Sequence, residues 1–198
     1  DLPFENLSSV TTNDRQGAAC AVDYLIRCGH RNIAVLGGDR LLSDTSAQRY
    51  EGCVEAFGKN GMQFDEQIYY HTGRYSYEDG YSGMQAVLRD TPQVTAVFAM
   101  AVVIAIGAIR ALADAHLRVP EDISVVCFDG LEMSGYYVPK LTTIRQSVQS
   151  IADRGVQLLL GQIEKHLPAQ HEITDFTLCE RESVASPRAE SSIHKQKE

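Results

Sequence analysis

VTAVFAMAVVIAIGAIRAL, residues 94–112, carries no charge before Arg110. Its uncharged part, 94–109, is sixteen residues long, short of the roughly 18–20 that a membrane-spanning helix needs. Thr95 and Gly107 interrupt it. The run divides instead into VTAVFA (94–99), rich in β-formers, and a helical remainder over 104–115. A buried strand running straight into a buried helix is half of a βαβ unit.

The same unit recurs on both sides. Upstream, NIAVL (32–36) reads as a strand buried on both faces, and 46–59 as a helix through Tyr50, Cys53, Val54 and Phe57, ended near Gly61. Residues 67–71 form a further strand, and 76–89 a helix capped by Ser76. Downstream, LRVP (117–120) breaks the chain before the strand ISVVCF (123–128), and 142–144 is short and extended. Residues 147–166 are the longest amphipathic helix, with Val148, Ile151, Ala152, Leu159 and Ile163 expected to face inward. At the near end, 8–12 is extended and 14–28 helical, with Ala18, Val22, Leu25 and Ile26 on one face, Asn13 or Asp14 as N-cap and Gly29 as stop. Residues 173–178 read as a last strand and 186–198 as a polar, disordered tail. Strand–helix alternation at this spacing predicts an α/β fold with a doubly wound parallel sheet.

The 198 residues suffice for one sizeable domain or two small lobes. A net charge of −8 argues against a chain that itself coats a nucleic-acid backbone or an anionic membrane. Five scattered cysteines without a CxxC pair read as buried thiols in a reducing cytoplasm, not as a disulfide or zinc framework. The first ten residues, DLPFENLSSV, carry no signal-peptide pattern.

In a doubly wound sheet, ligands sit outside the carboxyl ends of the strands. That rule selects the loop 37–44, Arg74–Tyr75, residues 100–102 and Asp129–Gly130. Asp129 ends an apolar strand, where a carboxylate accepts hydrogen bonds from vicinal hydroxyls, and Arg49 offers a planar fork of donors to the same edge. Tyr75 offers a ring face to a flat ligand. Together they suit a neutral polyhydroxylated ligand. Each has a plain alternative: a turn carboxylate, a surface ion pair, a strand-end anchor. Catalytic patterns are missing: no GxSxG, no P-loop, no GxGxxG after a strand, no HExxH, and no metal-ligand spacing among six histidines. No cofactor is implied.

GHRNIAVLGG (29–38), SAQRYEGCVEAF (46–57), AVFAMAVVIAIGAIRAL (96–112), LRVPEDISVVCFDG (117–130) and LTTIRQ (141–146) occur in this order. Over residues 8 to 185 the chain resembles the effector-binding domain of the lactose-repressor/galactose-repressor (LacI/GalR) family of bacterial transcription regulators. The resemblance implies a periplasmic-binding-protein-like fold of two lobes, a cytoplasmic and usually dimeric repressor, and a small effector, most often a sugar, held between the lobes. Carried over by position, it makes Arg49 (before Gly52) and Asp129 effector contacts, Tyr75 a stacking surface, and Gln146 a weaker candidate at a lobe crossover. Two positions depart from the family pattern. Ala101-Val102 stands where a polar Asn-Asp or Ser-Asp pair usually holds ligand and starts the helix, and Asn13-Asp14 stands where the order is usually Asp-Asn.

The resemblance further predicts the C-terminal lobe, almost complete, at 33–143 and remnants of the N-terminal lobe at 1–31 and 145–185, with the DNA-binding headpiece absent from this chain. Operator DNA is then reached only through that headpiece. A homodimer is expected, through a surface to which Tyr50, Cys53 and Phe57 contribute. The competing readings are a periplasmic sugar-binding protein of a transport system, which shares the fold, and a doubly wound enzyme with an unrecognised site.

Overall fold

The computed structural model describes residues 6–65, 69–71, 74–130 and 132–188. In chain order its elements are β1 (Ser9–Thr12), α1 (Asp14–Arg27), β2 (Ile33–Gly37), α2 (Asp44–Lys59), β3 (Tyr69–His71), α3 (Tyr77–Asp90), β4 (Ala96–Ala99), α4 (Val102–Asp114), β5 (Ser124–Phe128), a 3-10 turn at Glu132–Gly135, β6 (Thr142–Gln146), α5 (Val148–Lys165), β7 (His171–Thr174) and β8 (Phe176–Cys179). The main sheet runs β3-β2-β4-β5-β6-β8, parallel as far as β6, with β8 antiparallel at the edge. The α/β doubly wound expectation holds.

Strand alternation explains the layers. Ala34, Leu36, Val97, Ala99, Val125 and Cys127 form one core with α3 and α4. The intervening Ile33, Val35, Ala96, Phe98, Val126 and Phe128 form the other with α1 and α2. Every residue of β2, β4 and β5 is buried, which is why these strands read as unbroken apolar runs. Gly107, the interruption in the opening stretch, is where α4 meets α3: a Cβ there stands 2.0 Å from the Tyr77 carbonyl oxygen, and one on Gly80 2.2 Å from that of Ile104. Two backbones in contact leave room for glycine alone.

Several expectations need correction. The helices expected to begin at 46 and 104 begin at Asp44 and Val102, because Ser43 and Ala101 lie in extended backbone directly before them. The strand expected at 67–71 is seen over Tyr69–His71; residues 67 and 68 lie outside the described ones. The single last strand is two. The chain leaves β7, parallel to β1, and at Asp175 crosses to β8, antiparallel to β6. The packed unit is also wider than 33–143: α1 lies against α2 and the main sheet, and β8 extends that sheet.

The first residues of the expected tail are held, with Arg188 pairing to Asp122 at 2.6 Å; 189–198 lie outside the described residues. Cys53 and Phe57 are wholly buried inside this chain and offer no interface, while Tyr50 is partly buried and packs edge-on to Phe64 at 5.2 Å. The helix α5 buries none of its residues. Val148, Leu159 and Ile163 are exposed, because among the described residues the sheet beside it is the two-stranded β1–β7 pair.

His30, 1% exposed, pins the chain end to the sheet: its ring nitrogens lie 2.9 Å from the Thr95 hydroxyl and 2.9 Å from the Ala185 carbonyl. Burial pushes its pKa below the ordinary histidine value, opposed by the bond to Ala185. The unfolded chain therefore takes up the proton first. His30 contributes its full stability above about pH 6.5, the unfolded histidine value, and loses it as pH falls toward the lower folded value. Thermal midpoints measured from pH 7.5 to 5 should fall less steeply in His30→Gln than in the wild type. Parallel profiles would contradict this account.

Candidate functional site

The ends of β4, β5 and β6 meet at one edge of the main sheet, joined there by the end of β1 from the two-stranded sheet. Asp129 follows β5 in the left-handed region at φ 65, a conformation that Asp tolerates better than most residues. Gln146 closes β6, and its amide donates to Asp129 Oδ1. Thr12, closing β1, donates to Gln146 Oε1 at 2.6 Å. Arg49, on the second turn of α2 and 4% exposed, reaches across from the other side. Its Nε donates to Asp14 Oδ1 at 2.7 Å, its Nη1 to the Met100 carbonyl, and its Nη2 lies 3.7 Å from Asp129 Oδ1.

The guanidinium lies 3.7 Å above the Phe128 ring centroid, so one of its faces rests on an aromatic quadrupole. Burial raises the Asp14 pKa above the ordinary aspartate value, and the Arg49 charge pulls the other way. One buried cation thus holds together the starts of α1 and α4 and the turn after β5. Chemically, the arrangement holds a carboxylate in a fixed position and keeps its neighbours neutral or paired.

Beside Asp129 lies a hollow of about 200 Å³, lined by Ala101, Val102, Val103, Asp129, Gly130, Gln146 and Val148. Of the sequence-derived candidates, the structure brings Asp129, Gln146 and Ala101 together here, with Arg49 directly behind Asp129. Tyr75 stands apart. Its hydroxyl is 2.9 Å from Ser46 Oγ, and its ring covers Gly38, where a Cβ would lie 2.7 Å from it; the strand-end anchor is the role this geometry gives it. Ala101 is the N-cap of α4 in extended backbone and makes no side-chain cap bond.

Sequence reasoning missed Thr12, Asp14 and Phe128 as parts of this network. Asp14 carried a signal, the inverted Asn13-Asp14 order: Asn13 takes the cap, accepting from Gln16 N at 3.1 Å, and leaves Asp14 for Arg49. A second cavity, about 190 Å³, opens at the opposite edge of the sheet beside Arg31, Gln63, Thr91 and Gln93. Among the described residues no group of three or more His, Cys, Asp or Glu is placed to hold a metal ion. No helix among them is long and apolar enough to cross a membrane.

Residues 22–184 match the family model described as periplasmic binding protein-like domain. Over 150 residues the chain is 38% identical to the HTH-type transcriptional repressor PurR of Pasteurella multocida, covering 76% of this chain and 44% of that protein. The transcriptional regulator CelR in complex with cellobiose superposes with a TM-score of 0.85 at 30% identity, covering 91% of this chain and 55% of that one. A ribose-bound LacI family regulator from Enterococcus faecium gives 0.84 at 28% identity, over 91% of this chain and 67% of that one. The chain spans about half the length of the curated relatives it matches.

Proposed function

This chain belongs to the periplasmic binding protein-like domain family, in the branch of the LacI-family transcriptional regulators, and from that premise we propose that it is the effector-binding part of a bacterial DNA-binding repressor. The hollow beside Asp129 carries the reading: a carboxylate fixed at a strand end, backed by a buried arginine, opening onto a cavity. Asp129 accepts hydroxyl donors of a small neutral ligand, a sugar or sugar derivative. Gln146 orients the carboxylate and meets the ligand's edge. Arg49 sets the position of Asp129 and of the Met100 carbonyl. Relatives named as transcriptional repressors and regulators favour this role over solute transport or catalysis.

The rest follows from the same reading. Operator DNA is bound through a separate headpiece, since an acidic chain makes a poor phosphate contact. The repressor acts in the cytoplasm as a homodimer.

Asp129→Ala should weaken effector binding by about 1.5–3 kcal/mol, the range for a hydrogen bond to a charged group. Titration calorimetry with a sugar panel, below the melting temperature of the variant, makes the comparison. A ligand that binds both proteins equally sits elsewhere, and the assignment fails.

A further inference from the structure

Asp129 and Gln146 are the polar side chains of the hollow, and they lie together along one side. The side chains of the other side, among the described residues, are hydrocarbon: Ala101, Val102 and Val103 at the start of α4, and Val148 at the start of α5. Ala101 and Val102 are 4% and 2% exposed, anchored in the core beneath, so this wall cannot turn away to admit water or a new partner. Val148, 63% exposed, forms the rim.

The polar pair is also partly used. Gln146 donates to Asp129 and accepts from Thr12, which leaves Asp129's remaining lone pairs as the main unfilled acceptor. A ligand seated here meets acceptors on one edge and methyl groups on the other.

We propose that Ala101, Val102 and Val148 make this site selective for a sugar-like effector with an apolar edge, a deoxy or methyl-bearing sugar, over its fully hydroxylated counterpart. The proposal rests on the reading of the same hollow as the effector site. A hydroxyl pressed against this wall gives up its water and finds no acceptor in return. That loss is worth on the order of tenfold or more in affinity. A C–H or methyl at the same position leaves no polar group unpaired and gains van der Waals contact with the wall. Ala101 is the smallest side chain of the wall, so a longer polar side chain at this position brings a hydrogen-bonding group into the cavity.

The test uses matched sugars differing by one hydroxyl, such as galactose with 6-deoxygalactose, glucose with 6-deoxyglucose, and ribose with 2-deoxyribose. Each is titrated into the wild-type chain and into Ala101→Asn, following alanine and valine methyl signals by NMR, which also registers weak binding. The expected result is a deoxy member favoured about tenfold or more in the wild type, with the ratio collapsing or inverting in Ala101→Asn. Matched members binding equally, or the hydroxylated one better, overturns the selectivity and leaves the effector site standing. If no sugar perturbs the hollow in either protein, the reading of the site falls and the selectivity with it. A Thr12→Val control should leave the ratio between matched members unchanged even where it weakens both, because Thr12 acts behind Gln146 and not on the apolar wall.

Discussion

Arg49→Met should destabilise the fold by about 3–5 kcal/mol, measured by chemical denaturation at neutral pH. The number follows from what is left behind. Arg49 is 4% exposed and is the cation placed between Asp14 and Asp129. Methionine fills much of the same volume but leaves Asp14 without its ion pair, the Met100 carbonyl without a donor, and two carboxylates facing each other. Removing one partner of a buried ion pair costs this much because the other charge stays desolvated. Adding Asp14→Asn should return part of the loss, since it removes the charge that suffers most from burial. A loss below about 1 kcal/mol would show that Arg49 is held loosely and that the network does not order the strand ends.

Phe128→Ala should cost a similar amount, about 3–5 kcal/mol. The ring is fully buried at the centre of the α1–α2 face and fills space that only a glycine at 17 leaves free, since a Cβ there lies 2.7 Å from it. It is also the platform under the Arg49 guanidinium. The two losses should therefore not add. The double variant Arg49→Met/Phe128→Ala is expected to fall short of the sum by more than about 0.5 kcal/mol, the coupling of groups in contact. Additive losses would mean that the ring supports the core without supporting the site.

The strand–helix alternation was legible because β2, β4 and β5 are buried on both faces, which writes them as continuous apolar runs between capped helices. Ser76 as a cap was equally plain, its hydroxyl accepting from Asp79 N at 3.1 Å. Harder to read was whether an apolar stripe is covered. The periodicity of α5 identifies its apolar face, yet Leu159 and Ile163 are 56% and 62% exposed because, among the described residues, two short strands lie beside it. Periodicity reports which way a helix faces, not what it faces. The break between β7 and β8 rests on a single residue, Asp175, in a stretch whose composition suits one strand throughout.

The site divides in the same way. Asp129 and Gln146 follow from their places at strand ends, but their partner Thr12 lies 134 positions from Gln146, and no local pattern links them. Arg49 was selected as a ligand-facing donor at this edge, with a surface ion pair as the alternative. The structure buries it behind Asp129, where Asp14 of α1, the Met100 carbonyl and the Phe128 ring receive it. Tyr75 was placed correctly at the edge, but its ring is taken up by Gly38 and Ser46.

In the proposed role, a small neutral polyol-like ligand binds at the carboxyl edge beside Asp129. The most direct measurement is an NMR titration of the isotope-labelled chain with a sugar panel, mapping which side chains shift. Concentration-dependent shifts are expected, confined to the methyls of Ala101, Val102, Val103 and Val148 and the side-chain amide of Gln146, and in Asp129→Ala they should need about tenfold or more ligand to appear. Shifts clustered instead around Gln63, Thr91 and Gln93 at the opposite edge, or unchanged by the loss of Asp129, would contradict it.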